Sequence, residues 1–175
     1  MTSIPQRAAS SSTAAPFLLR PVEAADGKFL DTLYRSTRET ELSGVPWNDA
    51  QKAAFCTMQF NAQTASYRQT YPHAEHRVIC TPEGEAAGRF IKARAGNALQ
   101  LVDIALLPLY RGRGWGTLII RALQQEAAAL NLALRLSVEK LNPALALYQR
   151  LGFSLIGEDD IRYQMVWSEE RQPAN

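Results

Sequence analysis

The chain has 175 residues, 46% hydrophobic and 21% charged, with 19 basic against 17 acidic side chains and a net charge of +2. That length makes one domain and buries about 70% of the unfolded surface, and the composition excludes a wholly disordered chain, a collagen repeat and a disulfide scaffold. No apolar run approaches the ~20 residues of a membrane-spanning helix, and the charge is too mild to argue for nucleic acid by itself.

Residues 1–16 are rich in Ser, Ala and Thr and lack the ~7–15-residue apolar stretch of a secretory signal. They read as a flexible tail, 17–168 as the single domain, and 169–175 as a C-terminal tail. Within the domain, residues 17–22 (FLLRPV) form a short strand. A helix starts at Asp26, with Phe29, Leu30, Leu33 and Tyr34 at helical spacing, and Ser43-Gly44-Val45-Pro46 breaks it. Asn48 or Asp49 caps a second helix that runs to about Tyr71 before Pro72. Strands follow over 76–81, 86–95 and 98–107, the last two joined by a Gly96-Asn97 hairpin turn. Next come a loop rich in Gly and Arg, a helix from about 114 to 130, a strand over 132–139, and a helix over 142–151 that Gly152 stops. Residues 153–157 and 162–168 close the chain as a hairpin. The order βααβββαβαββ predicts a mixed α/β sheet of about six to seven strands with helices on its faces.

Fifteen of the 19 basic residues are Arg, the better bidentate partner for phosphate and carboxylate. Cys56 and Cys80 stand far apart, in no CxxC pair and beside no His cluster, which predicts reduced core thiols in a cytoplasmic protein and no metal site. His73 and His76 have no evident third ligand.

The segment Leu106-Leu107-Pro108-Leu109-Tyr110-Arg111-Gly112-Arg113-Gly114-Trp115-Gly116 lies between a strong strand and a strong helix. Its glycines let the backbone take unusual dihedrals and let a ligand approach the amides. Successive amides at a helix N-terminus make an anion site, and Arg111 and Arg113 add positive charge, so the segment reads as a pyrophosphate cradle. GxxxxGK[ST] is absent. GxGxxG is also absent, because position 117 is Thr where a third Gly or Ala would fall.

What is present, Arg111-x-x-Gly114-x-Gly116, resembles the [QR]xxGx[GA] signature of the GCN5-related N-acetyltransferase superfamily. The stretch Asn142-Pro143-Ala144-Leu145-Ala146-Leu147-Tyr148-Gln149-Arg150-Leu151-Gly152-Phe153 resembles the NxxAxxLYxxxGF block of the same family, and the gap of one helix and one strand between the motifs is similar. The resemblance covers 17–168 and is strongest over 101–153. It implies that the strand before the cradle splays from its neighbour, leaving a wedge for the pantetheine arm of acetyl-CoA. In that reading the backbone of Ile104, Ala105 and Leu106 pairs with the arm, and Arg111, Gly112, Arg113, Gly114, Trp115, Gly116 and Thr117 hold the pyrophosphate. Asn142 bonds the pantetheine or simply caps its helix before Pro143.

The resemblance also implies that Tyr148 is the general acid, protonating the leaving thiolate; its other role is a core aromatic. Candidates for the base are Asp103, a carboxylate in an otherwise apolar run, Glu139 at the end of the strand beside the wedge, and Glu41. Trp47, Phe60, Tyr67, Tyr71, His73, His76, Arg162 and Tyr163 are candidates to face the acceptor. The expected activity is transfer of acetyl from acetyl-CoA to a primary amine, on a small molecule or peptide, by direct attack; a non-catalytic acyl-CoA sensor is the alternative, and a nucleotide binder the third reading. Neither a nucleic-acid partner, a membrane nor a metal is expected, and a homodimer is compatible with the sequence.

Overall fold

The computed structural model describes residues 15–169. The expected tails lie outside this range, except for Ala15, Pro16 and Glu169. The strands are β1 (Leu18–Pro21), β2 (Glu75–Cys80), β3 (Ala86–Ala95), β4 (Ala98–Leu106), β5 (Ala133–Glu139), β6 (Ser154–Glu158) and β7 (Arg162–Trp167). The helices are α1 (Gly27–Ser43), α2 (Asp49–Thr70), α3 (Trp115–Ala129) and α4 (Leu145–Arg150). The seven strands form one sheet in the order β1-β2-β3-β4-β5-β7-β6. β4 and β5 pair in parallel across the α3 crossover, and the other neighbours are antiparallel.

Local chemistry explains the boundaries. Asn48 and Gln51 form a reciprocal capping box that opens α2, and Pro72 follows its end. Gly96 takes φ +59° at the first turn position between β3 and β4, as a II′-type turn requires. Gly152, at φ +84°, ends α4. The start of α4 differs from the expected residue 142. The Asn142 side-chain oxygen accepts the Ala144 N–H at 2.9 Å, and its carbonyl accepts the Leu145 N–H at 3.0 Å. With Pro143 unable to donate, this turn precedes the helix, which begins at Leu145.

The sheet buries both faces. Ile79, Phe90, Leu99, Leu101, Leu134, Leu136 and Val138 pack with Ile119, Ile120, Leu123 and Ala127 of α3 and with Tyr148, Leu151 and Phe153. The alternate residues Val78, Cys80, Arg89, Ile91 and Ala93 are buried with Leu33, Tyr34 and Cys56 from α1 and α2, outside that cluster.

Two irregularities of β4 create the site. First, its register against β3 jumps from Leu101↔Lys92 to Asp103↔Ile91, which leaves Val102 as an extra, bulged residue. Without the bulge, Asp103 would share the α3 face with Leu99 and Leu101; with it, Asp103 turns to the α1/α2 face. Second, β4 pairs with β5 only from Ala98↔Ala133 to Leu101↔Leu136. β5 continues to Glu139 against β7, and β4 continues to Leu106 against β3. The two parallel strands therefore fork at Leu101 and Leu136.

Candidate active site

The fork exposes backbone polar groups of β4. The Leu107 N–H donates to Ala87 O on β3, and the Ala105 carbonyl oxygen lies where a Cβ on Gly88 would meet it. Residues 105 and 107 thus direct their backbone groups at β3. By strand alternation, the N–H and C=O of Ile104 and Leu106 face the fork. This corrects the expectation for Ala105, whose peptide groups are turned toward β3 and cannot line the wedge. The Leu106 carbonyl accepts from Arg111 Nε at 2.8 Å, so its N–H is the group left over.

At the mouth of the fork lies the glycine-arginine loop. Gly112 and Gly114 take φ +72° and +81°, conformations that favour glycine, and a Cβ on either would meet no atom within 4 Å. The N–H groups of residues 112–117 have no acceptor among the described residues; the first helical bond of α3 runs from Leu118 to Gly114 O. This run of amides, opening a 15-residue helix, is a site for an anion.

The loop's large side chains divide the work. Arg113 lies 5.5 Å over the Tyr110 ring, and Tyr110 stacks on Trp115 at 5.3 Å. The Arg113 guanidinium makes no hydrogen bond or ion pair among the described residues, and is available to a phosphate. Trp115 is buried against Phe17 and Tyr110, so only its amide reaches the cradle. Arg111 is committed structurally: besides Leu106 O, its guanidinium donates to the carbonyl and hydroxyl of Ser36 on α1 at 3.2 Å each. It ties the loop to α1.

Tyr148 approaches from the α3 face. Its ring packs edge-on to Phe153 at 5.8 Å. Its hydroxyl has no partner among the described residues and is not among the polar atoms sealed from solvent. Burial pushes its pKa up to about 12, with a further contribution from the Asp103 charge. Asp103 sits on the opposite face of the sheet; phenol and carboxylate sense each other across the fork. Tyr67 of α2 is raised to about 12 in the same way, by burial and then Asp103.

The base candidates are all paired. Arg89 Nε and Nη2 reach Asp103 Oδ2 at 2.8 and 2.7 Å, with the guanidinium side chain only 7% exposed. Arg89 also donates to Gln63 of α2 and lies over Phe60. Glu139 Oε1 stands 3.5 Å from Arg38 Nη2 and 3.8 Å from Arg162 Nη2, and Glu41 binds Arg38 Nη1 at 2.8 Å. Arg38, Arg89 and Gln63 escaped the sequence reading. One signal existed for Arg89: it is a charge inside an apolar strand, and the two-residue hairpin brings it close to Asp103. Of the other acceptor candidates, Phe60, Tyr67 and Arg162 join this cluster. Trp47 does not, since it packs on Phe55 in the α1–α2 connection. His73 is exposed, and His76 is half-buried, its pKa lowered by burial and then by Arg89 and Arg68. Asn142 is exposed with its side-chain oxygen engaged by Ala144. Cys56 and Cys80 are buried and unpaired. Among the described residues, no cluster of three His, Cys, Asp or Glu fits a metal, and no helix is long and apolar enough to cross a membrane.

Residues 31–153 match the Acetyltransferase (GNAT) family. The fold is similar to the PaiA N-acetyltransferase from Thermoplasma acidophilum, solved in complex with coenzyme A, with a TM-score of 0.66 at 13% identity over 87% of this chain and 98% of that one. It is similar to an acetyltransferase from Thermus thermophilus with a TM-score of 0.59 at 21% identity, over 87% and 96%. A chimera of the spermidine N-acetyltransferase SpeG from Vibrio cholerae and hSSAT gives 0.59 at 20% identity, over 89% and 97%. No curated protein matches the chain by sequence.

Proposed function

The chain belongs to the GNAT acetyltransferase family, and from that premise we propose that it moves an acetyl group from acetyl-CoA to a primary amine by direct attack. As a member it is an N-acetyltransferase with acetyl-CoA as donor; the acceptor and the residue roles that follow are our reading. The observation that carries it is the fork at Leu101 and Leu136, opening beside the unbonded amides of residues 112–117.

The residues present fit coenzyme A. The amides of residues 112–117 and the Arg113 guanidinium suit its pyrophosphate, and the Ile104 backbone groups suit its amide-bearing arm, as in strand addition to a sheet edge. When bound, the cofactor supplies an acyl group activated as a thioester. The Leu106 N–H, directed into the fork, stabilises negative charge developing on the acyl oxygen. The Tyr148 hydroxyl donates to the departing sulfur. At a pKa of about 12, full proton transfer to a thiolate of pKa about 8.5 is uphill by about 5 kcal/mol. Tyr148 therefore acts mainly through its hydrogen bond, and the net proton comes from the attacking amine. Asp103 and Glu139, both held by guanidiniums, orient and balance charge and do not act as free bases. Arg111 positions the cradle, and Asn142 shapes the turn before α4.

Calorimetry with acetyl-CoA, with ATP and NAD as controls, tests this reading. We expect binding of acetyl-CoA alone. Gly114→Val, which forces a β-branched residue into a left-handed conformation, lowers that affinity about tenfold or more. Retained affinity in a folded Gly114→Val protein would mean that the loop is not the cradle.

A further inference from the structure

The acidic side chains around the fork are already matched by arginines. Asp103 is held by Arg89, Glu41 by Arg38, and Glu139 by Arg38 and Arg162. None remains to receive a second ammonium. Hydrogen-bond donors, in contrast, are in surplus. The Arg38 side chain keeps part of its surface exposed, and its Nη2 reaches Glu139 only at the 3.5 Å limit. The Arg162 guanidinium makes no hydrogen bond among the described residues and stays 3.8 Å from Glu139. Both guanidiniums converge on the same oxygen, Glu139 Oε1, at the far end of β5, three residues beyond the fork and on the α1/α2 face that carries Asp103. Each offers five N–H donors in a rigid fork that matches a carboxylate or phosphate.

We infer that the acceptor is an amine carrying a carboxylate or a comparable oxyanion, which docks between Arg38 and Arg162 while the amine faces the fork. This rests on the transferase reading above and narrows it. The chemistry is self-consistent: the two cations favour the neutral, nucleophilic form of a nearby amine, and they disfavour a polyamine, whose extra charges would meet arginines with Asp103, Glu41 and Glu139 already paired. Glu139 then serves as a place-holder that keeps the two guanidiniums together, and a bidentate anion competes for them with better geometry.

The experiment measures binding and turnover separately. Saturation-transfer NMR in the presence of coenzyme A reports binding of L-amino acids against their α-amides, of O-phosphoethanolamine against ethanolamine, and of spermidine. Acetylation of the same compounds by acetyl-CoA is followed by thiol release. We expect the anionic member of at least one pair to bind and react about tenfold or more better than its neutral counterpart, the loss of charged hydrogen bonds being of that size; which pair responds tells carboxylate from phosphate. Arg162→Gln should raise KM for that compound by about 10–100-fold with a smaller change in kcat, and Arg162→Lys should restore part of it. Arg162 is half-exposed, so neither change threatens the fold. Preference for spermidine or the neutral amines, no binding of any anionic amine, or an unchanged KM in Arg162→Gln would overturn the inference. Arg162-dependent binding of an anionic amine without acetylation would uphold the anion site and refute the transferase reading.

Discussion

Gly88 is where the fork is most exposed to a minimal change. A Cβ there would meet the Ala105 carbonyl oxygen at 2.4 Å, Leu106 Cδ2 at 2.7 Å and Ile79 Cδ1 at 3.2 Å. Ordinary contact begins at 3.4 Å, so Gly88→Ala requires the end of β4 to retreat by about 1 Å. The Leu106 side chain can rotate away, but the Ala105 carbonyl belongs to the same rigid peptide unit that carries the Leu106 N–H. Overpacking of this kind costs about 1–3 kcal/mol, which for a chain of this size lowers Tm by roughly 2–12 °C. The same shift misplaces the Leu106 N–H, and a displacement near 1 Å costs on the order of 10²-fold in rate. Thermal unfolding and steady-state kinetics on Gly88→Ala, with saturating acetyl-CoA, read both effects. An unchanged Tm together with an unchanged kcat would refute the close approach of β3 and β4 and the role given to Leu106.

Tyr148→Phe removes one hydrogen bond to the developing thiolate and should lower kcat by about 10–100-fold with acetyl-CoA affinity and Tm nearly unchanged, because the hydroxyl has no partner among the described residues; calorimetry and kinetics check it, and an unchanged kcat removes Tyr148 from the chemistry. Asp103→Asn leaves the buried Arg89 guanidinium without its counter-charge and should cost about 3–5 kcal/mol by urea unfolding, whereas replacing both residues by apolar ones of similar volume should recover most of that loss. The Asp26 carboxyl is held below its unfolded value of 3.8 mainly by the hydrogen bond from Arg20, and also by the Glu23 N–H. It therefore stabilises the fold fully above pH 3.8, and that contribution disappears as the pH falls through the lower, folded value. Asp26→Asn should cost about 1–2 kcal/mol at neutral pH and flatten the acid limb of the Tm-versus-pH curve below about pH 4; an unaltered limb would count against the pairing.

The order of elements was legible because its signals are local: the Asn48 cap, the Gly96-Asn97 turn, Pro72 and Gly152 each act within a few residues. The turn chemistry of the glycine-arginine loop was legible for the same reason, since Gly112 and Gly114 sit where positive φ is required. The fork was reached only through the family resemblance; nothing in the β4 sequence announces that its pairing with β5 stops at Leu101. The bulge at Val102 was invisible, and with it the face on which Asp103 lies. The tie from Arg111 to Ser36 was not legible, because α1 is brought near only by its packing on the sheet. Arg38 went unnoticed as one charge on an amphipathic helix, where a solvated position is the ordinary outcome. Local chemistry writes itself into sequence; contacts that depend on register and layer packing do not.

The central claim is that the fork and the loop amides together bind the donor. Hydrogen exchange read by amide NMR, with and without acetyl-CoA, tests it directly. Leu106 and residues 112–117 should become protected on binding, while Ala105, already directed at β3, should change little. Binding that leaves those amides exchanging as before would place the donor elsewhere on the protein.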